Sequence, residues 1–162
     1  MNPSSDTVQK IEPVTFATFT IERVYAAKPS RVFAAFVDPA SKRKWFAESE
    51  GMEVVAFELD FRVGGIEKSR FRFKTGAVMG NDTVFQDIVH DRRIVSAYVM
   101  TMGEKRISAS LATIELFVDG EGTKLVFTEQ AAFFEGADGA KMREAGWTAL
   151  LGNLAKHVDE NA

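Results

Sequence analysis

One long amphipathic stretch near the C-terminal end constrains the fold more than any other feature of the chain. In residues 139–158, GAKMREAGWTALLGNLAKHV, bulky apolar side chains recur at the helical step of about 100° per residue. They are Trp147, Leu150, Leu151, Leu154 and Val158. The spacing predicts one long helix, capped by Asp138, whose apolar face must pack against another layer of structure.

Strand patterns fill most of the chain before this helix. Residues 66–75 alternate most cleanly, with Glu67, Ser69, Phe71 and Phe73 on one face and Lys or Arg on the other. Hairpin-turn signals separate further alternating runs on either side. We therefore expect an α+β fold, in which a curved seven-stranded antiparallel sheet wraps round the long C-terminal helix.

Two short helices should follow the first strand. The segments SRVFAAFV and ASKRKWF, at 30–37 and 40–46, have apolar residues at helical spacing, and each follows a proline. The second segment ends in Trp45 and Phe46, which form a bulky apolar end on a basic helix. Two interpretations of this pair remain open: a plug that seals one end of the core, and one wall of a pocket.

Length and composition limit the class of protein. With 162 residues and no cysteine, the chain fits one domain that buries its core without disulfides, and thiolate chemistry is excluded. We expect residues 1–14 to form a flexible leader before a single domain over 15–160. The net charge of -3 argues against nucleic-acid binding, which needs a basic face. Because neither a signal peptide nor a membrane-spanning apolar run is present, we expect a cytoplasmic protein.

The sequence contains no recognisable catalytic motif. His90 and His157 have no second ligand at metal-binding spacing, so we expect no metal. Gly64 and Gly65 are not followed by the Lys-Ser or Lys-Thr of a phosphate-binding loop, and a dinucleotide-binding fingerprint is also absent. We therefore expect no cofactor, and the catalytic residues stay unknown.

Three polar side chains nevertheless alternate with apolar ones on strands. Glu67 and Ser69 share a face with phenylalanines, and Glu129 alternates with leucine and phenylalanine on the last strand. A carboxylate that points inward is costly unless it is paired. Arg143, one turn before Trp147 on the apolar arc, is a candidate partner. A structural ion pair and a functional group remain alternatives.

Several segments, taken in order along the chain, resemble a known family. They are ERVYAAKPSRVFAAFVDPASKRKWF, FRVGGIEKSRF, VFQDIVHDRRIVSAYVM, SLATIELFVDGEGTKLVFTEQ and REAGWTALLGNLAKHV. Together they resemble the SRPBCC superfamily of START-like and birch-pollen-allergen-like proteins. Within it they are most similar to the AHSA-type branch, the activator of heat-shock-protein-ninety ATPase homologue domain. The resemblance extends from Phe16 to Val158.

This resemblance implies the helix-grip fold, with a hydrophobic cavity between the sheet and the long helix. In the superfamily that cavity binds lipids, sterols, polyketides or aromatic compounds. Some relatives are cyclases or dehydratases, some transfer ligands, and the members that give the branch its name stimulate a chaperone. The chaperone activators dock largely through a separate N-terminal domain, which a short leader would not supply. No shared catalytic set carries over to these positions.

The leading functional hypothesis is a protein that binds a hydrophobic or aromatic small molecule in an apolar cavity. An enzyme of the polyketide cyclase or dehydratase type and a chaperone ATPase activator are the alternatives, and a core without a ligand also stays open. A homodimer is compatible with the sequence, although no residue identifies its interface. The expected ligand-binding residues are Trp45, Glu67, Phe71, Phe73, Tyr98, Met100, Glu129, Arg143, Trp147 and Leu151.

Overall fold

Seven antiparallel strands form one sheet in the computed structural model, which describes residues 11–159. The strands are β1 (Thr15–Tyr25), β2 (Met52–Leu59), β3 (Ile66–Phe73), β4 (Met79–Val89), β5 (Arg93–Met102), β6 (Lys105–Asp119) and β7 (Gly122–Phe133). Their order across the sheet is β1-β7-β6-β5-β4-β3-β2. Every step except the pairing of β1 with β7 is therefore a hairpin between consecutive strands.

The helices occupy the positions that the apolar spacing predicts. They are α1 (Pro29–Val37), α2 (Pro39–Lys42) and α3 (Ala140–Asp159), and α2 continues into one π-helical turn over Arg43–Ala47. The predicted seven-stranded curved sheet, the short helices after the first strand and the long C-terminal helix are confirmed. Most of the predicted leader lies outside the described residues, and residues 11–14 are exposed and belong to neither helix nor strand.

The main core lies between α3 and the inner face of the sheet, because alternate residues of each strand point toward the helix. The buried apolar residues of β1, β7 and α3 include Phe19, Ile21, Tyr25, Leu125, Phe127, Leu151, Leu154 and Val158. The hydroxyl of Tyr25 also donates a hydrogen bond to the backbone carbonyl of Leu151 at 3.0 Å. This bond fixes the middle of α3 over β1.

The π-helical turn directs two aromatic side chains inward. Trp45 is buried, packs edge-on against Phe36 at 4.9 Å between ring centroids, and donates its indole N–H to the carbonyl of Ala35 at 2.9 Å. Phe46 lies on the side facing Trp147, with 5.9 Å between ring centroids. Trp45 thus packs into the helical insert, whereas Phe46 faces the interior between the sheet and α3.

Gly122 occupies a position that has no room for a side chain. A Cβ atom built there would overlap the backbone carbonyl of Tyr25 on β1. We expect Gly122→Ala to lower the free energy of unfolding by about 1–3 kcal/mol, because a strand must shift to relieve the overlap. Gly146→Ala is the matched control, since that glycine lies in α3 and a Cβ atom added to it would meet nothing within 4 Å. The control should raise the free energy of unfolding by up to about 1 kcal/mol, because alanine has a higher helix propensity than glycine.

Denaturant unfolding of the two variants checks this expectation. Equal unfolding midpoints for Gly122→Ala and Gly146→Ala would show that the β6–β7 hairpin tolerates the extra methyl group. The packing of Gly122 against β1 would then have no energetic importance.

Candidate functional site

An enclosed cavity of about 40 Å³ lies between the inner face of the sheet, the helical insert and α3. Its lining combines aromatic rings with polar side chains: Phe36, Lys42, Phe46, Glu67, Asn81, Thr83, Phe85, Ile94, Ser96, Tyr98, Ala112, Ile114, Phe127 and Trp147. A water molecule needs roughly 10–15 Å³ of such space, and ligand pockets usually measure roughly 300–1,000 Å³. The interior therefore has room for a few waters, and side chains fill most of the space that the resemblance implies.

Larger concavities lie on the surface of the described residues. One of about 1170 Å³ runs between the β1–α1 connection and the β6–β7 hairpin, one of about 480 Å³ lies beside Phe16 on the outer sheet, and one of about 220 Å³ lies between the helical insert and the end of α3. All three face solvent, and none is lined by a buried polar side chain. The internal cavity is therefore the better candidate for a site that recognises a specific ligand.

Glu129 is the centre of the first of two polar groups in the interior. Its carboxylate is fully buried and accepts three hydrogen bonds. The donors are the hydroxyl of Tyr98 at 2.6 Å, the hydroxyl of Ser110 at 3.1 Å and Nη1 of Arg143 at 3.2 Å. We call the set formed by Glu129, its three donors, Ser108 and Asp138 the Glu129 network.

Arg143 connects this network to the start of α3. Its Nη2 donates to the hydroxyl of Ser108 at 2.8 Å, and its Nε and Nη2 bind the carboxylate of Asp138 at 2.9 and 2.8 Å. The sequence predicts Asp138 as the cap of this helix, but α3 begins at Ala140 and the carboxylate binds the arginine side chain instead. One guanidinium therefore joins two carboxylates, which supplies the partner that a buried Glu129 requires.

No buried polar side-chain atom of the Glu129 network lacks a hydrogen-bond partner among the described residues. The hydroxyl of Tyr98 donates to Glu129 and accepts from Arg143 at 3.0 Å and from the indole N–H of Trp147 at 3.4 Å. Burial raises the pKa of Glu129, and the hydrogen bond from Tyr98 and the charge of Arg143 offset part of that rise. Burial and the nearby Glu129 also raise the pKa of Tyr98, so the phenol stays protonated. The network is suited to holding α3 against the sheet.

Lys42 is the centre of the second polar group. Its Nζ lies 3.0 Å from Oε1 of Glu67, and the two side chains are only 7% and 5% exposed. The same ammonium lies over the rings of Phe36, Trp45 and Phe46, at 5.3, 5.2 and 4.6 Å from their centroids. Aromatic faces attract a cation, so the rings and Glu67 together stabilise the buried charge.

This second group has unused hydrogen-bonding capacity. Within residues 11–159, Oε1 of Glu67, Oγ of Ser69 and Oδ1 of Asn81 are buried without a hydrogen-bond partner. The contact of Glu67 with Lys42 has ion-pair distance but not hydrogen-bond geometry. Ser69 and Asn81 are paired in register across β3 and β4. We call Lys42, Glu67, Ser69 and Asn81 the Lys42 cluster.

The expected site residues occupy four kinds of position. Glu67, Tyr98 and Trp147 line the cavity directly. Glu129 and Arg143 form the network behind Tyr98, and Trp45 and Leu151 are buried in the core. The remaining three lie away from the lining: Phe71 and Met100 are half-buried, and Phe73 is 53% exposed.

Sequence reasoning missed Lys42 and Asn81 as candidate site residues. Lys42 belongs to a run of basic residues, and such a run is typical of a solvated helix face. Lys42 precedes Trp45 and Phe46 by three and four residues, and residues at this spacing share one face of a helix. This spacing was the signal that could have placed Lys42 on the apolar face of the helical insert. Asn81 alternates with Thr83 and Phe85, both buried, which is the corresponding signal on β4.

The part of the chain that the structure describes contains no group of three or more His, Cys, Asp or Glu side chains that could hold a metal ion. Among the helices of residues 11–159, none is long and apolar enough to cross a membrane.

Comparison with known proteins agrees with the fold. The sequence model of the family described as activator of Hsp90 ATPase homolog 1-like protein matches residues 26–159. The chain belongs to this family. As a member of it, the protein is part of the SRPBCC superfamily, so the resemblance seen in the sequence segments is confirmed. The matched range includes both the Lys42 cluster and the Glu129 network.

Solved structures of other proteins show the same architecture. Mll3558 from Rhizobium loti is 49% identical, with a TM-score of 0.83 over 90% of this chain and 99% of that one. A protein from Rhizobium leguminosarum is 38% identical, with a TM-score of 0.87 over 91% of this chain and 97% of that one. DynU16, from the dynemicin biosynthetic locus, is 18% identical over 86% of this chain and 46% of that one, with a TM-score of 0.63, and shows the fold alone. No curated protein matches.

Proposed function

We propose that this protein binds a small, mainly apolar molecule with an aromatic ring between the sheet and α3. The observation that carries the proposal is the cavity lining, in which aromatic rings surround a buried charged pair with unused hydrogen-bonding capacity. An unsatisfied buried polar group costs about 1–3 kcal/mol, and the cavity has room for a few waters that can bind these atoms in the free protein. A ligand that displaces the waters and supplies the same hydrogen bonds would be recognised by them.

The cavity must expand to admit such a molecule. Trp147 is the side chain best placed to move, because it is half-buried, lines the cavity and makes, with residues 11–159, only one long side-chain hydrogen bond, at 3.4 Å to Tyr98. Its ring packs on Phe127 at 4.3 Å and on Phe46 at 5.9 Å between centroids. An aromatic ligand that displaces the indole could take over these ring contacts, which limits the energetic cost of opening.

An enzyme that uses the same cavity is the second candidate. Glu67 lines the cavity, and its Oε1 has no hydrogen-bond partner among the described residues, so a bound ligand could transfer a proton to it. The ammonium of Lys42, 3.0 Å away, would stabilise the carboxylate before transfer. Stimulation of a chaperone ATPase, the third candidate, rests on the family's description, and an ATPase assay with and without the protein tests it directly.

We expect native mass spectrometry of the purified protein to show a bound small molecule that is lost on denaturation. Lys42→Met should lower the occupancy at least tenfold, because it leaves Glu67 buried without its cation. Lys68→Met on the exposed face of β3 is the matched control and should keep the wild-type occupancy. A ligand-free wild type that also fails to bind apolar dyes would contradict the binding proposal.

The purified protein and its bound molecule also distinguish a binding protein from an enzyme. Once the co-purified molecule is identified, Glu67→Gln should abolish its turnover if Glu67 takes a proton, with little change in the Michaelis constant. In a binder the same substitution changes affinity, and the molecule is recovered chemically unaltered.

A further inference from the structure

We infer that the Lys42 cluster selects ligands with an uncharged head group that donates a hydrogen bond, such as a hydroxyl on an aromatic ring. This inference rests on the proposed binding function and specifies its ligand class. It depends on two properties of the cluster, its charge balance and its unused acceptors.

The charge balance excludes ionised head groups. Lys42 and Glu67 form a buried pair with no net charge, at 3.0 Å between Nζ and Oε1. A ligand carboxylate would compete with Glu67 for the ammonium and leave two like charges close together in a poorly solvated space. A ligand ammonium would face Lys42 in the same way. Neutral head groups avoid both penalties.

The unused atoms specify the direction of the hydrogen bond. Oε1 of Glu67 and Oδ1 of Asn81 are acceptors, and the hydroxyl of Ser69 can accept as well as donate. The ligand must therefore supply a donor. The Glu129 network, on the other side of Tyr98, makes no such demand because its atoms already bind one another.

The position of the rings agrees with a hydroxyl attached directly to an aromatic system. Phe46 and Trp147 line the same cavity as Glu67 and Asn81. A ring that takes the place of the Trp147 indole beside Phe46 would direct one substituent toward Glu67, Ser69 and Asn81 on β3 and β4. The ligand class that fits is a neutral phenol or naphthol.

Calorimetric titration with four compounds that differ only in the head group tests the inference. They are 1-naphthol, 1-methoxynaphthalene, naphthalene-1-carboxylate and 1-naphthylmethylammonium, and the corresponding benzene derivatives repeat the comparison with a smaller ring. We expect the hydroxyl compound to bind at least tenfold more tightly than the methyl ether and than either ion. The methyl ether isolates the donor, because it keeps the ring and the oxygen.

The variant Ser69→Ala/Asn81→Leu removes two of the three unused acceptors without changing the charge. We expect its preference for hydroxyl over methyl ether to fall below threefold. Ser110→Ala, in the Glu129 network, is the control and should keep the full preference.

The outcomes separate the inference from the proposed function. Equal affinities across the head groups, or tightest binding of an ion, would overturn the inference and leave aromatic binding intact. Retention of the full preference in Ser69→Ala/Asn81→Leu would also overturn it. If no compound of either ring size binds, the proposed function itself fails.

Discussion

Replacing Arg143 by Met should lower the free energy of unfolding by about 3–5 kcal/mol, which is the cost of leaving one member of a buried ion pair without its partner. The substitution removes the donor at 3.2 Å from the fully buried Glu129, and it also removes the bonds to Ser108 and Asp138. Methionine keeps much of the packing volume, so lost charge and hydrogen bonds dominate the effect.

The penalty should depend on pH in a definite direction. Burial raises the pKa of Glu129, so the folded protein keeps this proton at pH values where the unfolded chain has released it. The resulting stabilisation is fully present below the ordinary glutamate value of about 4.3 and is lost as the pH rises through the folded pKa. Without Arg143 that pKa rises further, and the penalty should be largest near neutral pH and smaller toward about pH 4.

Denaturant unfolding at several pH values in this range measures the loss of stability caused by Arg143→Met. Arg106→Met, which changes an exposed arginine of β6, is the matched control. The control should change stability by less than about 0.5 kcal/mol. Adding Glu129→Gln to Arg143→Met should recover part of the lost stability at neutral pH, because the double variant has no unpaired carboxylate in the core. An Arg143→Met penalty that is the same at every pH would contradict the assignment of this pair as charged.

Replacing Phe127 by Ala should lower the free energy of unfolding by about 3–5 kcal/mol and enlarge the internal cavity. Phe127 is fully buried, packs on Trp147 at 4.3 Å and on Phe19 at 6.2 Å between ring centroids, and lines the cavity. Phe117→Ala is the matched control, because that ring is 48% exposed on β6. The control should lower the free energy of unfolding by less than about 1 kcal/mol.

The enlarged cavity provides a second measurement. An apolar cavity that opens in the core binds benzene-sized molecules, and a ligand that binds only the folded state raises stability by mass action. We therefore expect benzene to raise the unfolding temperature of Phe127→Ala more than that of the wild type or of Phe117→Ala. An equal response in all three proteins would mean that the core has collapsed into the space left by the ring.

Local patterns were sufficient to predict the elements of the fold. The alternation around Phe71 and the helical arc from Trp147 to Val158 each depend on residues close together in the chain, where the period of a strand or helix decides the outcome. The same patterns made Arg143 a candidate partner for an inward carboxylate, because such a carboxylate needs a cation and Arg143 lies on the apolar arc of α3.

The sequence by itself determined which residues belong to strands and helices and that polar groups enter the interior. The tertiary structure decided which carboxylate meets which cation: Glu67 pairs with Lys42 from the helical insert, and Glu129 binds Tyr98 and Arg143. It also decided that the cavity is small and that, among residues 11–159, the unused buried acceptors lie in the Lys42 cluster. These properties depend on how side chains distant in sequence pack across the sheet and α3, and no local period encodes that packing.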